Sequence, residues 1–249
     1  KIILTKDKIY FASDFHLGAP NMLESHKREK QIVQWLNEIE KDAKAIYLVG
    51  DIFDFWFEYN KVVPKGFIRL LGKIASLTDN GTPVHLFVGN HDLWLRDYLE
   101  TEIGVSIHHG NIIIQEGDKK ILIGHGDGLG DGDYLYKNLK KIFISKTCQW
   151  IFARFHPNFA FTLAHTWSKS SRKSGDEEKF STKEKEILFG YCQEHQKINP
   201  VDYYVFGHRH LPLELEIDNK ATYINLGEWI SQKTYGVLEK GILKLETYK

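Results

Sequence analysis

A chain of 249 residues can bury a real core, as one large domain or as one domain with an elaborated insert. Its 42% hydrophobic and 27% charged residues exclude a disordered or fibrous chain, and 33 Lys+Arg against 33 Asp+Glu exclude a chain-wide nucleic-acid surface. Cys148 and Cys192 cannot make a disulfide framework, no apolar run reaches the roughly 18–20 residues of a membrane span, and residues 1–5 do not read as a signal peptide. A protein of the cytoplasm is the expectation.

Five short apolar runs, each closed by a small residue and then a metal-ligand type, set the frame. They are Ile9 to Ala12 before Ser13-Asp14, Ile46 to Val49 before Gly50-Asp51, Leu86 to Val88 before Gly89-Asn90, Ile121 to Ile123 before Gly124-His125, and Tyr203 to Phe206 before Gly207-His208. Runs this short, apolar on both faces and rich in Val, Ile, Tyr and Phe, predict buried strands. The glycine after them predicts a sharp turn that delivers the next side chain to the C-terminal edge of a sheet, where open α/β sheets carry ligands. Between the strands, residues 24–41 place Ile32, Val33, Leu36 and Ile39 on one helical stripe, and 65–77 do the same with Phe67, Leu70, Leu71 and Ile74. The alternation predicts an α/β layered fold. Residues 112–124 read as a hairpin, and 213–217, 221–226, 234–239 and 241–247 as further strands.

One segment departs from the rest. Residues 134–175 hold eight Lys and Arg and no Asp or Glu, so the remainder of this neutral chain carries −8. The same stretch is rich in Phe, Trp and Tyr, and positions 135, 139, 142, 143, 146 and 150 follow helical spacing. It predicts a helical insert, too long for a plain connection between strands, acting as a cap. Its aromatic residues either pack into the core or remain available to an anionic, partly apolar ligand or an anionic membrane surface. A nucleic-acid cleft is the weaker reading of the basic residues, because that needs a track of phosphate contacts.

The side chains at the strand ends are Asp14 and His16, Asp51, Asn90 and His91, His125, and His208 with His210. Oxygen and imidazole donors without thiolate suit Mn²⁺, Fe or Zn²⁺, and their number exceeds what one ion takes. Two ions need a ligand between them, a task for an Asp carboxylate. In extended Asp-X-His or His-X-His, residues i and i+2 point the same way, so both can serve one cluster. The remaining histidines are expected to be structural or exposed, and Trp56 and Trp94 to wall the site.

This ordered set resembles the calcineurin-like metallophosphoesterases, whose blocks run Asp-X-His, Gly-Asp-X-X-Asp, Gly-Asn-His-Asp/Glu, a lone His and Gly-His-X-His. The resemblance implies a four-layer αββα sandwich with a helical cap insertion, the core at 1–130 and 185–249 and the cap at 131–184. It implies one ion on Asp14, His16, Asp51 and His210 and a second on Asp51, Asn90, His125 and His208. It further implies that a metal-activated hydroxide attacks phosphorus, with Asn90 and His91 catalytic, His91 stabilising phosphoryl charge or protonating the leaving oxygen. Asp54 and Asp92 would orient ligand or catalytic imidazoles.

A narrower resemblance covers nearly the whole chain: the UDP-2,3-diacylglucosamine pyrophosphohydrolases of lipid A synthesis. It rests on Gly50-Asp51-Ile52-Phe53-Asp54-Phe55-Trp56, on His125-Gly126-Asp127 leading to Asp133 and Tyr136, on the basic aromatic insert, and on Leu226-Gly227-Glu228-Trp229. The best-known members carry Arg where this chain has His91. The resemblance implies hydrolysis to UMP and 2,3-diacylglucosamine 1-phosphate, with two divalent ions, Mn²⁺ ahead of Fe or Zn²⁺. Asp133, Tyr136, Arg172 and Lys173 would touch the substrate, an acylated nucleotide-sugar collected at the cytoplasmic face of the inner membrane; no nucleic-acid partner is implied. A generic phosphodiesterase or nucleotide pyrophosphatase of the same superfamily is the alternative, and a binding scaffold without turnover stands behind it.

Overall fold

The computed structural model describes residues 6–131, 134–175 and 182–249. Strands β1 (Lys8–Ala12), β2 (Ala43–Val49), β3 (Val84–Phe87) and β4 (Ser106–His108) run parallel, and β10 (Thr234–Glu239) and β11 (Ile242–Thr247) extend them into a six-stranded sheet ordered β11-β10-β1-β2-β3-β4. A second sheet has the order β5-β6-β7-β9-β8, built from β5 (Ile112–Glu116), β6 (Lys119–Ile123), β7 (Tyr203–Phe206), β8 (Pro212–Ile217) and β9 (Ala221–Leu226). The predicted hairpin is the antiparallel pair β5–β6, and the four late strands fall within a residue of their predicted bounds.

Strand periodicity explains the layering. On β1, Tyr10 and Ala12 join the cluster under the helices, whereas Ile9 and Phe11 face the other way, against Ile121, Ile123, Val205, Ile224 and Leu226 of the second sheet. The outer face of that second sheet, through Leu122, Tyr204, Phe206 and Tyr223, packs on Leu188, Phe189 and Cys192 of α7 (Ile187–Ile198). Helices, sheet, sheet and helix therefore form the four layers that the resemblance implied.

On the other side lie α1 (Met22–Ile39) and α2 (Ile68–Asp79), with the short α3 (Tyr98–Ile103) beyond. Asn21 caps α1, its side chain accepting from the Glu24 N–H at 3.1 Å. The second helix starts later than its stripe predicts. Gly66 (φ 115°) and Phe67 (φ 59°) occupy left-handed conformations that cannot continue into a right-handed turn, so Phe67 is buried from the entry loop. Glu29 of α1 supplies the missing cap, accepting from Arg69 N at 2.9 Å and Leu70 N at 3.1 Å.

The insert is helical, but its helix is broken. Helix α4 (Tyr134–Phe143) ends before Ser145, whose hydroxyl accepts from Cys148 N at 3.2 Å and opens α5 (Lys146–Phe152). Helix α6 (Pro157–Gly175) follows, with Pro157 at its first position, where the missing N–H costs nothing. The even spacing through 135–150 therefore spans two helices, because a capping serine competes with the backbone for the turn. The insert meets the core through rings, Phe152 against Phe57 at 4.8 Å and Phe161 against Phe55 at 5.3 Å between centroids. Polar ties add to them: Trp94 Nε1 donates to Phe143 O at 2.7 Å, and Arg96 Nη2 to Gln149 Oε1 at 2.9 Å. The other side is open, with Trp150 and Phe159 each 59% exposed beside Ile151, Phe155 and Leu163.

Candidate metal centre

The five predicted strands end where their sequences say they should, and the side chains that follow converge. The backbone does this differently from the predicted extended geometry. Asp14, His16, Asp51, His208 and His210 all have left-handed φ, between 42° and 69°. Such residues cost of order 1–3 kcal/mol each and persist only where the surroundings over-determine them. The glycines serve mainly as gaps rather than turns. Gly50 alone has positive φ among Gly50, Gly89 and Gly207, but a Cβ at any of the three would collide with His125, Asp51 or Asp14. The ligand-type residue itself takes the turn, and the glycine lets its neighbour come close.

Several groups pin these loops. Asp14 N donates to Gly50 O at 3.1 Å and His16 N to Asp51 O at 2.9 Å, which ties the first two blocks together. Buried Arg28 of α1 donates to the carbonyls of Phe15, His16 and Ala19 at 2.6, 2.7 and 2.6 Å. Sequence reading missed Arg28, although extending the α1 stripe one turn back reaches it. Asp92 touches no imidazole through these bonds; its carboxylate accepts from the N–H groups of Ile52, Phe53 and Gly89, so it holds backbone and not a ring. Asn225 donates to Gly207 O, and Arg209, between His208 and His210, pairs with buried Glu186 at 3.1 Å.

Two donor groups result. In one, Asp14 Oδ1 lies 3.2 Å from His210 Nε2 and 3.7 Å from His16 Nε2, and the two rings approach to 3.0 Å. In the other, Asn90 Oδ1 lies 2.9 Å from His208 Nδ1 and 3.2 Å from His125 Nε2. Asp51 Oδ2 reaches both, 3.3 Å from His125 Nε2 and 3.9 Å from His16 Nε2. All seven predicted ligand residues are thus together. His91 joins them, its Nε2 4.0 Å from Asp51 Oδ2, in a group with His16.

Charge is crowded here. Burial by itself would raise Asp14 and Asp51, but imidazoles on either side, His16 and His210 for the first and His125 and His91 for the second, hold both carboxylates well below the usual range. Burial pushes His16 down to about 4 and, helped by the charge on His125, His208 down to about 4. Burial opposes but does not prevent protonation of the other two rings, because Asp51 lifts His125 to about 10 and Asp14 lifts His210 to about 9. Burial and the Asp51 charge push Asp92 up.

A divalent ion fits this donor set. Asp14 Oδ1 is fully buried without a hydrogen-bond partner, and hard oxygen with imidazole nitrogen is the chemistry of Mn, Fe or Zn sites.

Of the residues expected to touch substrate, Tyr136 is half-buried and its hydroxyl donates to Asp127 Oδ2 at 2.5 Å, beside Lys140 Nζ at 2.6 Å. Asp133 lies outside the described residues, and Arg172 and Lys173 are placed on α6 by backbone alone. Trp94 lines a cavity of about 550 Å³ with Arg96, Glu100, His109, Lys140 and Gln149, whose lining includes no residue of the centre. Trp56 does not: it is fully buried in the helix-side core against Phe53, its Nε1 donating to Glu58. A smaller cavity of about 210 Å³ shares His109 and Lys140 and reaches His125 and Asp127.

The family profile described as calcineurin-like phosphoesterase matches residues 7–212, which contain every block of the centre. The chain belongs to the calcineurin-like phosphoesterases. This membership and the carboxylate–imidazole groups make it a phosphoesterase that binds divalent metal. Among curated proteins, a UDP-2,3-diacylglucosamine hydrolase of Porphyromonas gingivalis is 37% identical over 256 residues, covering 97% of this chain and 98% of that one. One of Vibrio vulnificus is 29% identical over 233 residues, covering 89% and 90%. Among solved structures, the phosphoesterase Yfce of E. coli aligns with a TM-score of 0.47 at 14% identity, over 95% of this chain and 90% of that one.

Proposed function

We propose that this phosphoesterase hydrolyses the diphosphate of UDP-2,3-diacylglucosamine, giving UMP and 2,3-diacylglucosamine 1-phosphate. The end-to-end similarity to proteins bearing that activity in their names supports the substrate. The observation that carries the chemistry is Asp51 Oδ2 within reach of both imidazole groups. Asp14, His16, Asp51 and His210 would hold one divalent ion, and Asp51, Asn90, His125 and His208 a second. When bound, the ions, Mn²⁺ before Fe or Zn²⁺, supply Lewis-acid charge and a water made acidic enough to attack phosphorus.

The chain's own residues then have definite tasks. His91 turns Nε2 toward the centre, where that nitrogen takes up the proton released by the attacking water and passes it to the leaving oxygen. One P–O bond of the diphosphate breaks as one to the oxygen of water forms. Asp133, Tyr136, Arg172 and Lys173 stand as substrate contacts, and the 210 Å³ cavity running from Lys140 of the insert to His125 and Asp127 gives a polar group access to the centre. Residues 131–184 act as a cap over a core of 1–130 and 185–249.

A second reading concerns location. The outward side of α5, α6 and the turn between them, with Trp150, Ile151, Phe155, Phe159 and Leu163 exposed in a stretch free of acids, suits the cytoplasmic face of an anionic membrane, where an acylated substrate resides. No helix among the described residues is long and apolar enough to cross a membrane. Co-flotation with anionic vesicles and not with neutral ones is expected; equal recovery with both would remove the electrostatic part.

Release of UMP from UDP-2,3-diacylglucosamine in detergent, after chelation and resupply of Mn²⁺, tests the main reading against UDP-N-acetylglucosamine and a simple phosphodiester. Turnover of the diacylated compound alone is the expected result. Preference for the simple diester would replace the substrate but keep the centre, and inactivity on all three with any metal would leave a binding scaffold.

A further inference from the structure

A buried hydroxyl from the insert stands between two groups of the catalytic core. Ser168 of α6 is only 4% exposed, and its Oγ lies 2.7 Å from Asp54 Oδ1 and 2.8 Å from His91 Nδ1. Asp54 and His91 do not bond directly through these atoms, since Asp54 Oδ1 and His91 Nδ1 are 3.8 Å apart. The serine bridges them. Asp54 and Ser168 are 114 residues apart in sequence, so nothing local foretells the contact.

The donor inventory fixes the direction of both bonds. A carboxylate only accepts, so the single hydroxyl proton of Ser168 goes to Asp54 Oδ1. That leaves lone pairs toward His91, which must carry its proton on Nδ1. The Asp54 carbonyl, another pure acceptor, sits 3.3 Å from the same nitrogen and makes the same demand through a longer contact. With Nδ1–H engaged, Nε2 is the nitrogen left for the centre, and it is the one facing Asp51. Hydrogen bonds of this kind set both the tautomer and the angle of an imidazole.

We propose that Ser168 is a positioning residue for His91: it fixes the Nδ1–H tautomer and ring orientation of that imidazole, so that the catalytic group is complete only with the insert seated on the core. The role rests on the reading of His91 as catalytic. It also gives the insert a task beyond holding substrate, because capture of the ligand by the cap and readiness of the chemistry then share one hydroxyl.

The test uses the full-length protein. In ¹⁵N-histidine NMR, wild type is expected to show His91 with its proton on Nδ1 and with a hydrogen-bonded N–H signal, and Ser168→Ala to lose that signal or mix tautomers. In kinetics with UDP-2,3-diacylglucosamine, Ser168→Ala should lower kcat by roughly 10–100-fold with KM and metal content near wild type. Ser168→Thr, which keeps the hydroxyl, should recover most of the rate. Adding Ser168→Ala to His91→Ala should cost little further. An Nε2–H tautomer in wild type, an unchanged kcat in Ser168→Ala, or a full additional loss on the His91→Ala background would each overturn the proposal. If His91→Ala were as active as wild type, the catalytic reading of His91 would fall instead, and the NMR result would still decide the tautomer.

Discussion

Single residues at this centre do work that their spacing announces and their backbone conceals. Asp51 illustrates it. Its position after Gly50 at a strand end marks it as a candidate ligand, but the left-handed φ of 53° and the approach of Oδ2 to both imidazole groups emerge only in three dimensions. Asp51→Ala is expected to bring metal content from two ions per chain to well under one, read by elemental analysis, and to remove turnover. An Asp51→Ala protein retaining two ions at full occupancy would end the bridging role. The predicted roles of Asp54 and Asp92 separate in the same way. Both are buried carboxylates near the centre, yet one reaches a ring through Ser168 while the other braces three N–H groups of the loops.

At the level of elements, the turn carrying His208 and His210 depends on a helix that carries no ligand itself. Helix α7 begins at Ile187, and Glu186 just before it is buried against Arg209 and 3.4 Å from the Tyr223 hydroxyl. The carboxylate thereby anchors the residue between the two histidines, and Asn225 of β9 holds the Gly207 carbonyl from the other side. Glu186→Gln keeps the shape but removes the charge. Metal affinity should fall by roughly 10–100-fold while the melting temperature of chelated protein changes little. Metal titration beside thermal denaturation separates that outcome from plain loss of fold.

For the molecule as a whole, metal, proton and folding equilibria are linked. Chelated protein holds protons on His125 and His210, lifted to about 10 and about 9 by the Asp51 and Asp14 carboxylates against the opposing effect of burial. A cation must displace them, since an imidazolium has no lone pair to offer. Binding therefore releases protons, apparent affinity rises as pH climbs toward 9, and it weakens as pH falls. Calorimetry in buffers of different ionisation heat should show this release, and an uptake independent of buffer would contradict it. Binding to the folded state alone also stabilises it, by about 2.7 kcal/mol at one hundred times Kd, so Mn²⁺ should raise the melting temperature and a chelator should lower it.

Much of this was legible before any coordinates. The apolar runs determined the strands because burial on both faces demands continuous hydrophobicity, and the residue types behind them determined the donor chemistry because only some side chains bind hard cations. The helical insert was visible in its length and its lack of acids. Two things were decided by tertiary structure alone, and a third by a local cap that the spacing hides. The even spacing across 135–150 could not reveal the break at Ser145, since a cap competes with the helix at a single residue. Trp56, placed by sequence beside the second block, turned into the core, where the chain bends at Asp54 and the indole meets Phe53 and Glu58. Ser168 met His91 because α6 packs across a core built from distant segments, and a contact between residues so far apart along the chain belongs to packing, where local propensity has no say.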